Sequence, residues 1–496
     1  MRFRRHHPGR VLAAIGLTAG SLAFTAAGPA AADVVEPFGK RYDESLYGDF
    51  TTIGNTVMGC PTAPADMAAR CATAASGQGS DNNSTFVMQR IDAGDIGDAD
   101  YGSSTGHVVI PAGAEVAYAR LFWGGNDGTY TGPSGARLTR CDISGADAAP
   151  SPGDPATTAP VIKVGAGAAT PVSIDSMVVD PSDTGGPHYY TGESDVTAAF
   201  AGTSGTDARV TVGNVWAPNG KGCVGGWSLT VVHRFPAPDP ARAPERRNVY
   251  VYGGHVLQRS TSPATTITVD GFHRGPGTVR ASVTAYEGDR NTPGDTFLVD
   301  GKNVTESHTG TTDNFFISED DGAVAPKPAD NLSIDAKAFD VPAGAVPPGA
   351  TSADLTFSTS GDTYVPSALA FSVPVPDLEI TKTARPATVK PGAPVLDKPK
   401  PTASPKPTPV DPTPSPSPSP PDPTESGGPA SPSPATSPTA TVQVHPAPPA
   451  PGPQGNAGSM AETGGNGERL WLLGALAVAL AATGLVAKAA MRGRRD

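Results

Sequence analysis

Asp92, Asp95, Asp98 and Asp100, interleaved with Gly94 and Gly97, make the best ligand constellation in this chain. Carboxylates crowded into a glycine-containing loop suit Ca²⁺, which prefers hard oxygen donors. The spacing departs from the EF-hand pattern because no glutamate closes the loop, so a plain acidic turn competes with a calcium site. A second acidic pair, Glu287 and Asp289, precedes the Gly294-Asp295 turn. Two carboxylates can hydrolyse a glycoside when they face one another across a cleft, but spacing along a chain does not establish that, and exposed acidic loop residues are the plainer reading. The histidines His107, His188, His233, His255, His273 and His308 are scattered singly, and His233 falls in an alternating strand pattern. No His-Glu-x-x-His helix, Gly-x-Ser-x-Gly elbow or Walker loop occurs in the sequence. Trp123, Trp216 and Trp227 suit either a sugar-stacking platform or a core, and their strand positions favour the core. Lys163, Lys302 and Asn303 are conceivable partners in a lysine–asparagine cross-link.

The elements that position these residues read as strands. Val116, Tyr118, Arg120 and Phe122 alternate with Ala117, Ala119, Leu121 and Trp123; Val210 and Val212 lead to Trp216; Trp227, Leu229 and Val231 precede Val249 and Val251. This period of two predicts half-buried strands. Gly124-Gly125, Asn219-Gly220, Gly253-Gly254, Asp270-Gly271, Asp300-Gly301 and Asp321-Gly322 punctuate them as expected turns and loops. The body shows no long amphipathic helix, and 59 Gly with 54 Pro disfavour one. The reading is an all-β protein: a β-sandwich or jelly-roll-like head, as one large unit or two packed units divided near residues 236–245. We delimit the units as 33–240 and 241–376.

Cys60, Cys71, Cys141 and Cys223 all lie in this body. An even count in an exported chain implies disulfides, with Cys60 expected to pair with Cys71 and Cys141 with Cys223, although four cysteines allow three connectivities. No Cys-x-x-Cys pair or suitably spaced histidine favours zinc. The formal charge of -12 and the lack of a basic stripe exclude nucleic acid and anionic membrane surfaces as expected partners.

Both ends carry targeting patterns. Arg2, Arg4, Arg5 and Arg10 precede an apolar segment at 11–27 and the small residues Ala30-Ala31-Ala32, so residues 1–32 read as a signal peptide for the general secretory route, with the mature chain starting at Asp33. Residues 377–459 are dominated by Pro, Ser, Thr, Ala and Gly and cannot bury a core. At about 3.1 Å per residue in polyproline II, such a stalk reaches on the order of 200 Å. Residues 460–496 then give Met460-Ala461-Glu462-Thr463-Gly464, an uncharged run at 470–487 and the basic residues Lys488, Arg492, Arg494 and Arg495. As a helix the run spans about 27 Å, the hydrocarbon thickness of a bilayer. The basic tail that follows holds the C-terminus in the cytoplasm.

This C-terminus resembles the Leu-Pro-x-Thr-Gly cell-wall sorting signals, and more closely their actinobacterial Leu-Ala-x-Thr-Gly variant, with Met460 standing where leucine is usual. The resemblance implies that a sortase thiolate attacks the Thr463–Gly464 carbonyl and that a peptidoglycan-precursor amine resolves the acyl-enzyme. The protein is then a substrate, secreted and attached to the cell wall, and held in the membrane by its C-terminal helix before or without cleavage.

The head has a resemblance of its own. Ile53-Gly54-Asn55-Thr56, Asn82-Asn83, Leu121-Phe122-Trp123-Gly124-Gly125, Gly226-Trp227-Ser228-Leu229-Thr230, Ala285-Tyr286-Glu287-Gly288-Asp289, Asn314-Phe315-Phe316 and Ser360-Gly361-Asp362-Thr363-Tyr364 are similar to the N-terminal region of large bacterial, especially actinobacterial, surface proteins. The resemblance implies an adhesin-like head and supplies no catalytic residues. In such proteins immunoglobulin-like repeats follow a strand similar to residues 377–383, whereas here that strand runs into the stalk. The expected function is therefore a surface protein displaying a binding or structural head toward an extracellular ligand, carbohydrate or protein. No cofactor is expected, a structural calcium at Asp92, Asp95, Asp98 and Asp100 being the candidate that competes with a plain acidic turn. The alternatives are a tethered polysaccharide hydrolase and an uncleaved single-pass membrane protein.

Overall fold

The computed structural model describes residues 33–376 except 98–100, 127–129, 132–136, 139–140, 144, 146, 181–187, 204 and 206, and beyond them only short strands between 378 and 403. Residues 1–32, read as a signal peptide, most of 377–459, read as a stalk, the motif Met460, Ala461, Glu462, Thr463, Gly464, the run at 470–487, and Asp98 and Asp100 lie outside the described residues. No helix among the described residues is long and apolar enough to cross a membrane.

The head is mostly β, in antiparallel sheets. Its spine is the long strand Asp33–Thr56, which pairs along Tyr47 to Thr56 with Gly225–Phe235 and along Asp33 to Leu46 with Arg247–Arg259. Register shifts between Val34 and Glu36, Glu36 and Gly39, and Lys40 and Tyr42 mark irregularities in the second pairing; bulges of this kind bend a strand and increase its twist. One nine-stranded sheet results, in the order Ser176–Val179, Tyr189–Asp195, Glu115–Asn126, Gly225–Phe235, Asp33–Thr56, Arg247–Arg259, Thr363–Pro374, Arg280–Tyr286, Ile334–Asp340. Strands from both sides of residue 240 thus share one sheet.

Smaller sheets supply apolar faces to each half. Ile53, Leu121, Trp123, Trp227 and Leu229 of the nine-stranded sheet share a core with Val108, Val210, Val212 and Ile162 of a five-stranded sheet. Tyr250, Val283, Leu369 and Phe371 share another with Val269, Phe297, Leu355 and Phe357 of a four-stranded sheet. The opposite faces of the same strands meet in a third cluster built from Leu46, Phe50, Phe122, Val232, Val251 and Ala370. Hydroxyls cross this layer: Thr52 Oγ1 lies 2.8 Å from Ser282 Oγ, and Thr284 Oγ1 donates to Ser228 Oγ at 2.8 Å.

That layering changes two sequence expectations. Strand Glu115–Asn126 is buried on both faces from Tyr118 onward rather than half-buried, because Leu121 and Phe122 enter different cores. Gly124-Gly125 and Gly253-Gly254 lie inside strands, not turns. At Gly124 a Cβ would stand 2.7 Å from the Tyr190 carbonyl and 2.9 Å from the Tyr286 ring, so glycine serves close packing there. Asp300-Gly301, by contrast, does connect two strands, Asp295–Val299 and Lys302–Asn303, with φ of 46° and 74° at its two residues. Two consecutive positive φ angles are what a tight two-residue hairpin turn requires.

A short helix, Ala65–Ala75, of 11 residues, accompanies the strands. Its run of alanines favours helix, and Cys71 on its buried face is bonded to Cys60. The second disulfide joins Cys141 to Cys223, 82 residues apart.

Candidate functional site: a buried carboxylate cluster

The two described members of the 92–100 aspartate set have partners in the protein. Asp95 Oδ2 lies 3.1 Å from Arg209 Nη2 and accepts from Thr211 Oγ1 at 3.1 Å, while Asp92 Oδ1 accepts from the Gly94 amide. Among the described residues no three carboxylate, imidazole or thiolate groups converge as a metal cluster. Trp123, Trp216 and Trp227 are core residues, 1%, 7% and 0% exposed. Lys302 and Asn303 are exposed, and Lys163 Nζ donates to the Asp95 carbonyl at 2.8 Å.

The second acidic pair is not freely exposed, Asp289 being partly buried and Glu287 buried. Glu287 is held at φ 73°, and the loop it starts, exposed at Asn291 and Pro293, leads to buried Asp295. Segments distant in sequence meet there. Asn82 Nδ2 donates to Asp289 Oδ2 at 2.7 Å, the Asp289 amide donates to Asp362 Oδ2 at 2.9 Å, and Asn314 Nδ2 donates to the Arg290 carbonyl at 2.7 Å. Four of the segments that resemble surface proteins thus converge on one place: Asn82-Asn83, residues 285–289, Asn314-Phe315-Phe316 and residues 360–364. Asp335 sits one layer deeper on strand Ile334–Asp340, its carboxylate accepting the amides of Ile317, Ser318 and Glu319 at 3.0, 3.0 and 3.3 Å. Beside it, Lys337 Nζ is 3.1 Å from Asp335 Oδ1, 3.1 Å from Glu306 Oε1 and 2.6 Å from the Phe315 carbonyl.

The charge balance of this region is strongly negative. Glu287, Asp295, Glu306, Glu319, Asp320, Asp330, Asp335 and Asp362 are all buried. Against these eight carboxyls stand buried Lys337, partly buried Arg290, whose Nη1 is 2.9 Å from Glu319 Oε2, and the His308 ring, charged only when protonated, whose Nδ1 is 2.9 Å from Glu306 Oε1. Burying carboxylates without matching cations drives them toward the neutral acid. Burial, reinforced by the neighbouring Asp362, pushes Asp295 up to about 9. Burial likewise pushes Asp330 up to about 8, opposed by the Leu332 amide and Arg290, and raises Asp320 well above the carboxylate range. Glu306 goes the other way: burial would raise it, but Lys337 and hydrogen bonds from His308 and Thr309 bring it to about 2.

A separate polar constellation joins residues the sequence left scattered. His255, fully buried, places Nδ1 2.8 Å from Thr191 Oγ1 and Nε2 2.9 Å from Asp180 Oδ1. Acid, imidazole and hydroxyl in series is the order of groups in an activated nucleophile. The adjoining hollow, lined by Thr191 and Gly254, has a volume of about 10 Å³, room for one water and no substrate. The constellation therefore ties strands together. Nearby, Glu193 is clamped by Arg41 Nε at 2.7 Å and Arg120 Nε at 3.0 Å.

Sequence reasoning found Glu287 and Asp289 but missed Asp295, Asp335, Lys337 and Asp362 as their neighbours. The available signal was the clustering of acidic residues within the motif-bearing segments 285–295 and 360–364.

No family model matches the chain, and no curated protein matches it. One solved structure, described as N-glycanase F (PNGase F), aligns over 55% of this chain and 89% of that chain at 10% identity, with a TM-score of 0.15. That similarity is too low to carry fold or function.

Proposed function

We propose that this chain is an exported surface protein, joined to the cell wall through Thr463 and displaying its β head on the proline-rich stalk. The observation that carries this reading is the three-part C-terminus: a Thr-Gly motif, a bilayer-length apolar run at 470–487 and a basic tail. Two disulfides fit an oxidising, extracellular setting. We read the head as stacked β-sandwiches with a binding or structural role. Its acid-rich centre is interior, whereas glycoside hydrolysis needs carboxyls flanking a bond in an open cleft.

Mass spectrometry of C-terminal peptides, released by muralytic digestion of detergent-washed walls, tests the anchoring. The expected peptide ends at Thr463 and carries a wall-derived amine. Intact chain retaining residues 470–496, found only in membranes, would leave a stalked single-pass membrane protein instead.

A further inference from the structure

Asp295 opens strand Asp295–Val299 fully buried, and neither of its carboxylate oxygens has a donor at normal hydrogen-bond distance, the Thr359 hydroxyl on the paired strand acting on it from farther off. Asn314 forms a parallel bridge to it, with the Phe315 amide donating to the Asp295 carbonyl at 3.2 Å. Because Asn314 Nδ2 is committed to the carbonyl of Arg290, its Oδ1 is turned the other way, and that atom too is buried without a donor. Asp362 adds a second carboxylate, close enough for its charge to act on Asp295.

Three buried oxygen atoms without a close donor, beside a second carboxylate, are costly unless a proton or a cation stands among them, and a divalent cation that displaces the proton from Asp295 satisfies all three. The interior already has eight carboxyls against Lys337 and Arg290, and both cations are engaged elsewhere, with Glu306, Asp335 and Glu319. We propose that Asp295, Asp362 and Asn314 hold a single Ca²⁺ inside the head. Carboxylate and amide oxygens without imidazole or thiolate are calcium's donor set rather than zinc's. Calcium also accepts irregular geometry and backbone carbonyls, where Mg²⁺ demands a near-ideal octahedron and retains its waters. Two carboxylates rather than three or four, consistent with the lack of a larger acidic metal cluster among the described residues, place the affinity in the weak class of extracellular modules, about 0.1–1 mM. The site does not depend on wall attachment, and it is distinct from the 92–100 loop.

The test uses the full-length chain, purified in detergent, stripped with chelator and desalted. Equilibrium dialysis against Ca²⁺ is expected to give one ion per chain, and the melting temperature is expected to rise with Ca²⁺ through the millimolar range, as preferential binding to the native state requires. Asp295→Asn is expected to abolish both effects, and Asp92→Asn to leave both unchanged. Should Asp295→Asn fail to fold, Asn314→Ala takes its place, with binding weakened at least about tenfold, the loss of one coordinating oxygen being about 1.4 kcal/mol. The proposal is overturned if the stripped wild-type chain binds no calcium and melts independently of it. It is equally overturned if Mg²⁺ raises the melting temperature as much as Ca²⁺, or if binding survives Asp295→Asn but is lost in Asp92→Asn.

Discussion

Lys337 Nζ stands 3.1 Å from Glu306 Oε1, with the lysine 2% and the glutamate 0% exposed. Thirty-one residues separate the two in the chain, so this pair fixes the loop containing Glu306 to strand Ile334–Asp340. Removing one partner leaves the other charge buried. Lys337→Met is expected to cost about 3–5 kcal/mol in urea unfolding, and the double variant Lys337→Met with Glu306→Gln to recover part of that loss. A single-variant cost below about 1 kcal/mol would mean that the pair contributes no more than a surface one.

Stability should fall as pH rises through the neutral range. Asp330, held up at about 8 by burial, keeps its proton in the folded head, whereas the unfolded chain releases it near its ordinary value of about 4. Between these values the folded state binds more protons than the unfolded state, so the slope of stability with pH is negative. The contribution is full below about pH 4 and gone above about pH 8. Thermal melts from pH 5 to pH 8 in chelator are expected to show a falling midpoint, with a shallower fall in Asp330→Asn. Glu306, held at about 2, works oppositely at the acid end: its stabilisation is present above about pH 4 and lost as pH falls toward 2.

The two disulfides should not be equivalent. In the chain-entropy account, the bond closing 82 residues contributes about 4.5 kcal/mol and that closing 11 about 3 kcal/mol. The paired replacement of Cys141 and Cys223 by Ser is therefore expected to lower the denaturant midpoint further than the same replacement of Cys60 and Cys71. The reverse order would point to the helix Ala65–Ala75 as the more demanding element.

Gly124→Ala tests the close packing around strand Glu115–Asn126. Its Cβ would enter within 2.7 Å of the Tyr190 carbonyl and 2.9 Å of the Tyr286 ring, both fully buried. Overpacking of this kind costs about 1–3 kcal/mol. A neutral or stabilising effect on the thermal midpoint would show that these strands separate easily.

The sequence by itself determined that the body is β-rich, since a side-chain period of two, as in Tyr118 to Trp123, is a local property of the pleat. The Asp300-Gly301 hairpin was legible for the same reason, because φ above zero at consecutive positions selects these residues directly. What only the tertiary structure decided is which faces are covered. Period two says that Leu121 and Phe122 point oppositely but not that both sides meet a core, and a Gly-Gly pair reads alike in a turn and in a crowded strand. The acidic centre was hidden most completely. Glu287, Asp295, Asp335 and Asp362 look in the sequence like the solvated loop charges that carboxylates usually are. Their burial arises from the stacking of strands far apart in the chain, and a carboxyl's chemistry follows its dielectric surroundings and neighbours, which no local spacing encodes.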